Sequence, residues 1–167
     1  PNATIVATGC YAERDPDALK ALNEIDLVVG NTGKYELVKK IVEMQSEQNV
    51  PCSTGDDSVI DSSSILRSRP MIKIQEGCNQ ICAYCIVPKV RGRERSIHPG
   101  KIISEIKRYS LDGCKEIVLT GTQLGSYGFD LEDIDLPGLI KQILLNTDVP
   151  RVRVSSLQPQ EISDNLL

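Results

Sequence analysis

Tryptophan is absent from this chain of 167 residues, phenylalanine occurs once and tyrosine five times, so platforms for stacking nucleic-acid bases are scarce. Tyr84 and Tyr127 are the best placed for that role, and each is equally suited to plain packing. Histidine is nearly missing too. Its one copy, His98, stands before Pro99-Gly100 where a helix is expected to start, which reads as loop punctuation. No serine or cysteine has a histidine partner in its sequence neighbourhood, so general acid–base or nucleophilic chemistry finds no support. No secretory or membrane-spanning stretch is visible. That argues against a disulfide framework for the six cysteines and for thiols in a reducing cytosol, with no membrane partner. An initiator methionine and any obvious internal repeat are also lacking. Pro1-Asn2-Ala3 leads straight into an apolar strand and the last residues read as an opening helix, so the sequence is expected to be an internal fragment.

What is present suffices for a core: 40% of the residues are apolar, in a length that makes one ordinary domain or two small ones. Thr4 to Thr8 reads as a β-branched strand ending at Gly9, and Asp15-Pro16 as the capped start of a helix. A second strand, Asp26 to Val29, ends at Gly30. Leu37, Val38, Ile41 and Val42 recur at helical spacing, which predicts an amphipathic helix from about Lys34 to Gln45. Residues 1–48 therefore read as part of an α/β domain. From 49 to 69 serine, aspartate and threonine dominate, a composition that cannot bury enough surface to fold alone and marks a linker.

After the linker, strands are expected at Met71–Ile74, Lys115–Thr120 and Arg151–Ser155. Between them lie helices carrying Ile102, Ile103, Ile106 and Tyr109, and spanning Pro137–Leu145. Strand, helix, strand, helix, strand implies a parallel sheet with right-handed crossovers. Ligands of such sheets sit at the carboxyl ends of the strands. Those ends hold a cysteine-rich loop, then Thr120-Gly121-Thr122, then Ser155-Ser156.

The loop after the first of these strands contains Cys78, Cys82 and Cys85 in a Cys-x3-Cys-x2-Cys spacing. Thiolates are the usual holders of iron–sulfur clusters, and three ligands on a 4Fe–4S cube leave one iron open for a reacting molecule. The alternative of another class is a non-catalytic zinc or iron–sulfur binding module, a zinc site being completed by Cys114 or His98.

The spacing in its context, Ile74-Gln75-Glu76-Gly77-Cys78-Asn79 through Cys85-Ile86-Val87-Pro88 and then Arg91-Gly92-Arg93-Glu94-Arg95-Ser96, resembles the radical S-adenosylmethionine methylthiotransferases. Leu119 to Gly128 and Arg151 to Leu157 agree. The resemblance implies a Rossmann-like amino-terminal part followed by the first part, 70–167, of a partial triosephosphate-isomerase-like barrel. It implies a tRNA-modifying enzyme in which a cluster on Cys78, Cys82 and Cys85 reductively cleaves S-adenosylmethionine to a 5′-deoxyadenosyl radical. By the same resemblance Thr120, Gly121, Thr122 and Gln123 contact the cofactor, with Ser155 and Ser156 at the neighbouring strand end. A lone cysteine such as Cys10 is commonly a small buried hydrophobe, but Gly9-Cys10-Tyr11 resembles the third ligand of a second 4Fe–4S cluster that serves sulfur insertion, its companions lying upstream. Cys52 and Cys114 read as structural or incidental. An electron donor such as flavodoxin or ferredoxin, a monomeric state and a cytoplasmic location are implied, and the fragment alone is expected to be inactive.

Net charge is −4, yet residues 67–108 carry ten basic against three acidic residues. Arg91, Arg93 and Arg95 are therefore candidates for tracking RNA phosphates. The competing reading is a solvated loop in which Glu94 neutralises a neighbour. Leu119-Thr120-Gly121 with Leu124-Gly125-Ser126-Tyr127-Gly128 resembles the bacterial branch acting on N6-threonylcarbamoyladenosine beside the tRNA anticodon. The branches acting on isopentenyladenosine or on a ribosomal protein are the alternatives. Gln123 stands where many relatives have histidine. Gln158 replaces a frequent glutamate, so no carboxylate is expected from that position.

Overall fold

The computed structural model describes residues 3–47 and 69–166. Residues 49–68 of the expected linker, with Cys52, lie outside the described residues. The fold is α/β, as the alternation predicts, and it divides into two compact units whose boundaries run through the cysteine loop. Of the described residues, 83–91 belong with the amino-terminal unit, and 69–82 with 92–166 form the other.

In the first unit β1 (Val6–Thr8) and β2 (Leu27–Val29) run parallel, Val6 opposite Leu27 and Thr8 opposite Val29. Between them lie two five-residue helices, α1 (Cys10–Arg14) and α2 (Pro16–Lys20). The expected start at Asp15-Pro16 is α2, whose first turn is capped by the Asp15 carboxylate accepting from Ala18 N–H at 3.1 Å. The helix expected from about Lys34 begins later. Thr32–Glu36 is a tighter 3-10 turn, and α3 runs Leu37–Glu47. A single turn, α4 (Val87–Val90), packs on α1. Among the described residues of this unit the buried apolar side chains are Ala12, Val29 and Val90.

The second unit carries the larger core. β3 (Met71–Lys73), β6 (Glu116–Thr120) and β7 (Arg151–Val154) form a parallel sheet in the order β3-β6-β7. Ile72 is opposite Leu119, and Leu119 is opposite Val154. A short antiparallel pair, β4 (Gln75–Glu76) with β5 (Arg95–Ser96), lies outside that sheet and was not expected from the sequence. Helices α5 (Pro99–Leu111) and α6 (Leu136–Asn146) supply Ile102, Ile106, Leu139 and Ile143, which cluster with Ile72, Ile117 and Leu119 at full burial. Each such side chain contributes about 1.5–3 kcal/mol on leaving water.

Strand alternation sends Met71, Lys73, Arg151 and Arg153 to exposed positions. His98 caps α5, its Nδ1 accepting from Gly100 N–H at 3.2 Å, and Asp135 caps α6 through Gly138 N–H at 2.8 Å. Tyr127 is buried in this core and its hydroxyl donates to the Ile97 carbonyl at 2.7 Å, so it is packed rather than offered to a base.

At the opposite end of the strands, buried Glu116 opens β6. It pairs with Arg151 at 3.0 Å, Arg153 at 2.5 Å and Arg69 at 3.8 Å. Burial pushes the Glu116 pKa up, but the Arg151 hydrogen bond and the charges of the three arginines outweigh it and hold the carboxyl below its ordinary value. No helix among the described residues is long and apolar enough to cross a membrane.

Candidate metal centre and cofactor loops

Residues 77–86 form neither helix nor strand, and their start is fastened tightly. Gly77 has φ +78°, and a Cβ there would lie 2.0 Å from the Arg93 carbonyl oxygen, so glycine alone fits. Cys78 N–H donates to the Gly92 carbonyl at 3.2 Å. Asn79 and Glu94 then clasp each other three times: Asn79 N–H to Glu94 Oε1 at 3.1 Å, Asn79 Nδ2 to Oε2 at 3.2 Å, and Glu94 N–H to Asn79 Oδ1 at 3.3 Å. Glu94 therefore braces the cysteine loop, a role that neither reading of the arginine run gave it. Gln80 N–H points at Cys78 Sγ, 3.4 Å away.

A second set of bonds joins this loop to the carboxyl end of β6. Gln75 is buried, and its Oε1 accepts from Thr122 N–H at 3.0 Å and Gln123 N–H at 2.9 Å. Its Nε2 donates to the Gly77 carbonyl at 2.9 Å. The neighbouring strand end follows: Ser155 N–H and Oγ both donate to the Leu119 carbonyl, at 3.2 and 3.1 Å, and Leu124 N–H donates to the Ser156 carbonyl at 3.3 Å. The entry of the cysteine loop, at Gly77, and both candidate cofactor loops thus meet within the second unit at one end of its parallel sheet.

The family model of the Radical SAM superfamily matches residues 72–155, from β3 to the end of β7. The chain belongs to the radical SAM superfamily. Within it, the sequence is 38% identical over 177 aligned residues to the threonylcarbamoyladenosine tRNA methylthiotransferase MtaB of Aquifex aeolicus, covering 100% of this chain and 42% of the relative. It is 34% identical to the ribosomal protein uS12 methylthiotransferase RimO of Clostridium novyi, covering 98% and 38%. It is 32% identical to the tRNA-2-methylthio-N(6)-dimethylallyladenosine synthase of the same organism, covering 100% and 39%. The chain spans about two fifths of the length of these curated relatives.

A radical SAM domain implies a 4Fe–4S cluster and S-adenosylmethionine, and the donor chemistry here fits a cluster. Three soft thiols fall within eight residues of irregular backbone anchored at its entry. Cys78 is buried, Cys82 exposed and Cys85 half-buried. The first two belong to the second unit, and Cys85 to the first. Among the described residues no group of three or more Cys, His, Asp or Glu side chains is gathered so as to hold a metal ion. Ligand convergence is coupled to binding in such sites.

The cofactor candidates differ in how committed their side chains are. Thr120 Oγ1 donates to the Ile72 carbonyl at 3.3 Å, and Ser155 Oγ is likewise used by the backbone. Gly121 leaves no room for a Cβ, which would meet Leu124 at 2.6 Å and the Gln75 carbonyl at 2.9 Å. Gln123 is buried, its amide nitrogen donating to Glu161 and its oxygen accepting from Gln158 at 3.2 Å. Glu161 also accepts from Gln158 N–H at 2.9 Å. A carboxylate therefore reaches this strand end from three residues beyond Gln158. Ser156 holds φ +57°, an uncommon conformation for a residue with a side chain.

In the first unit Cys10 opens α1 beside Asn31 and Arg91. The Arg91 hydrogen bond lowers the thiol pKa below its ordinary value; burial opposes this, while Asn31, the Arg91 charge and Lys34 add to the lowering. The structure thus divides the three candidate phosphate contacts. Arg91 lies beside a thiol, Arg93 is exposed, and Arg95 is paired with Glu76 at 4.0 Å. Tyr84 is almost fully exposed. Ser96 closes the arginine-rich run as a second brace: its N–H donates to Asp130 at 3.0 Å and its Oγ accepts from Gly128 N–H at 2.9 Å. Sequence reasoning missed the roles of Gln75, Asn79, Glu94 and Glu161. For Gln75, Asn79 and Glu94 the visible signal was a polar or acidic residue inside a motif already quoted, whereas Glu161 lies beyond those motifs.

Proposed function

We propose that the chain is part of a methylthiotransferase that modifies N6-threonylcarbamoyladenosine beside the anticodon of tRNA, giving the 2-methylthio product. The observation that carries this reading is the Cys-x3-Cys-x2-Cys loop hydrogen-bonded, through Gln75, to the loop after β6 in a chain of this superfamily. The similarity at 38% identity to a threonylcarbamoyladenosine tRNA methylthiotransferase supports the substrate. In this proposal residues 1–48 are the end of a second-cluster domain, 49–69 a linker and 70–167 the opening part of the radical SAM domain.

Cys78, Cys82 and Cys85 hold one 4Fe–4S cluster, and Cys10 is a ligand of a second. When bound, the first cluster supplies the electron that makes S-adenosylmethionine reactive, and the cofactor carries the hydrogen-atom chemistry. The protein's part is placement. Gly77, Asn79 and Glu94 fix the entry of the cysteine loop, and Thr120 to Gln123 with Ser155 and Ser156 line the neighbouring strand ends where the methionine part of the cofactor binds. Arg91 favours the thiolate of Cys10, the form in which sulfur ligates metal. Arg93 and Arg95 contact tRNA phosphates. The partners are tRNA and an electron donor such as flavodoxin or ferredoxin, for a monomer working in the cytoplasm.

Mass spectrometry of tRNA nucleosides and of ribosomal protein uS12 from cells with and without the gene tests the substrate. Loss of the 2-methylthio group from N6-threonylcarbamoyladenosine alone is expected. Loss from a dimethylallyladenosine product or from uS12 instead moves the chain to another substrate, and no loss from any of them overturns the proposal.

A further inference from the structure

Gln75 is buried to 1% exposure on a two-residue strand, where an unsatisfied amide would be costly. All of its polar capacity is used locally. Nε2 donates to the Gly77 carbonyl at 2.9 Å and the Glu76 carbonyl at 3.3 Å. Oε1 accepts from the consecutive N–H groups of Thr122 and Gln123, at 3.0 and 2.9 Å. One end of the side chain therefore holds the backbone directly before Cys78, and the other holds the loop after β6. Gly121 presses against the same amide: a Cβ there would lie 3.0 Å from Gln75 Oε1 and 2.9 Å from its carbonyl oxygen. An apolar side chain of this size fills the same space but joins nothing. What the amide adds is registration, since its planar, two-ended bonding fixes distance and angle between two loops that are far apart in sequence.

We infer that Gln75 is a positioning residue that holds the cysteine loop and the Thr120–Gln123 loop in one register, and thereby sets how tightly S-adenosylmethionine binds. This deepens the proposed function and rests on it. A purely structural brace would change stability in proportion to folded protein and leave the affinity of each folded, cluster-loaded molecule alone.

The test uses the full-length protein reconstituted with iron and sulfide. Iron content and the S-adenosylmethionine dissociation constant per cluster-loaded molecule are measured for the unsubstituted protein, Gln75→Leu and Gln75→Glu. The leucine variant removes both ends of the joint and is expected to load its cluster yet bind the cofactor about tenfold to a hundredfold more weakly, the usual scale for losing a residue that orients a site from behind. The glutamate variant keeps the acceptor end for Thr122 and Gln123, so a smaller loss is expected, and it carries the test if the leucine variant does not fold. An affinity within about twofold of the unsubstituted protein in folded, loaded Gln75→Leu, or in Gln75→Glu where the leucine variant does not fold, overturns the inference, as does a loss that only tracks folded protein. Failure of the unsubstituted protein to load a cluster or bind S-adenosylmethionine overturns the proposed function itself.

Discussion

Among the described residues the two units differ sharply in the number of buried apolar side chains. In the second, twelve buried residues around Ile106 and Leu119 form a continuous core, and the backbone entering Cys78 is tied to it by Gly77, Asn79, Glu94 and Gln75. In the first, the described buried apolar residues are Ala12, Val29 and Val90, and Cys10 sits at the start of a five-residue helix beside Arg91. A helix this short has little stability of its own, so its geometry depends on tertiary contacts. One cysteine neighbourhood is tied to a large core by hydrogen bonds, and the other is set on a short helix beside Asn31 and Arg91.

The sharpest way to break that contrast is at the sulfur atoms. Cys82→Ala in the reconstituted full-length protein is expected to abolish 5′-deoxyadenosine formation on reduction, and retention of that product would contradict the ligand assignment. Next in size is core truncation. Ile106→Ala should cost roughly 2–5 kcal/mol of unfolding free energy, whereas exposed Val38→Ala in the first unit should stay within about 0.5 kcal/mol. Denaturant titration followed by circular dichroism compares the two, and equal effects would erase the distinction between the units.

Gly77→Ala meets the Arg93 carbonyl and a positive φ together, and is expected to cost about 2–4 kcal/mol. Faster hydrogen exchange at Cys78 and Asn79 is its local readout, and unchanged exchange would mean that the loop is not fastened there. The smallest effect concerns pH. The Glu116 carboxyl is held below its unfolded value, so its contribution is present above that unfolded pKa and is lost as pH falls through the folded one. Glu116→Gln should flatten the acid side of the stability profile measured by thermal melts. An unchanged acid limb would show that Arg69, Arg151 and Arg153 do not act on stability through this carboxylate.

The three parallel strands, the helices between them and the cap at Asp15 were legible in the sequence, because apolar periodicity and capping chemistry are local; His98 read as loop punctuation and proved to be a cap. So was the cysteine spacing. The β4–β5 pair was not, since each strand is two residues long and exists only because distant segments meet. Tyr127 and Tyr84 looked alike in sequence, and burial alone separates them. Arg91, Arg93 and Arg95 read as one basic stripe, yet Arg91 adjoins Cys10 and Arg95 pairs with Glu76.

Thus residue order by itself determined the α/β alternation, the trio of thiols and the loops that accompany it, since these depend on neighbours a few positions apart. Only the tertiary structure decided that Gln75 reaches across 47 positions to Thr122, that Glu94 clasps Asn79 and that Glu161 brings a carboxylate to Gln123. The reason is physical. A hydrogen bond between residues remote in sequence requires the chain to close a loop first, and no local pattern records which closure the buried core will favour.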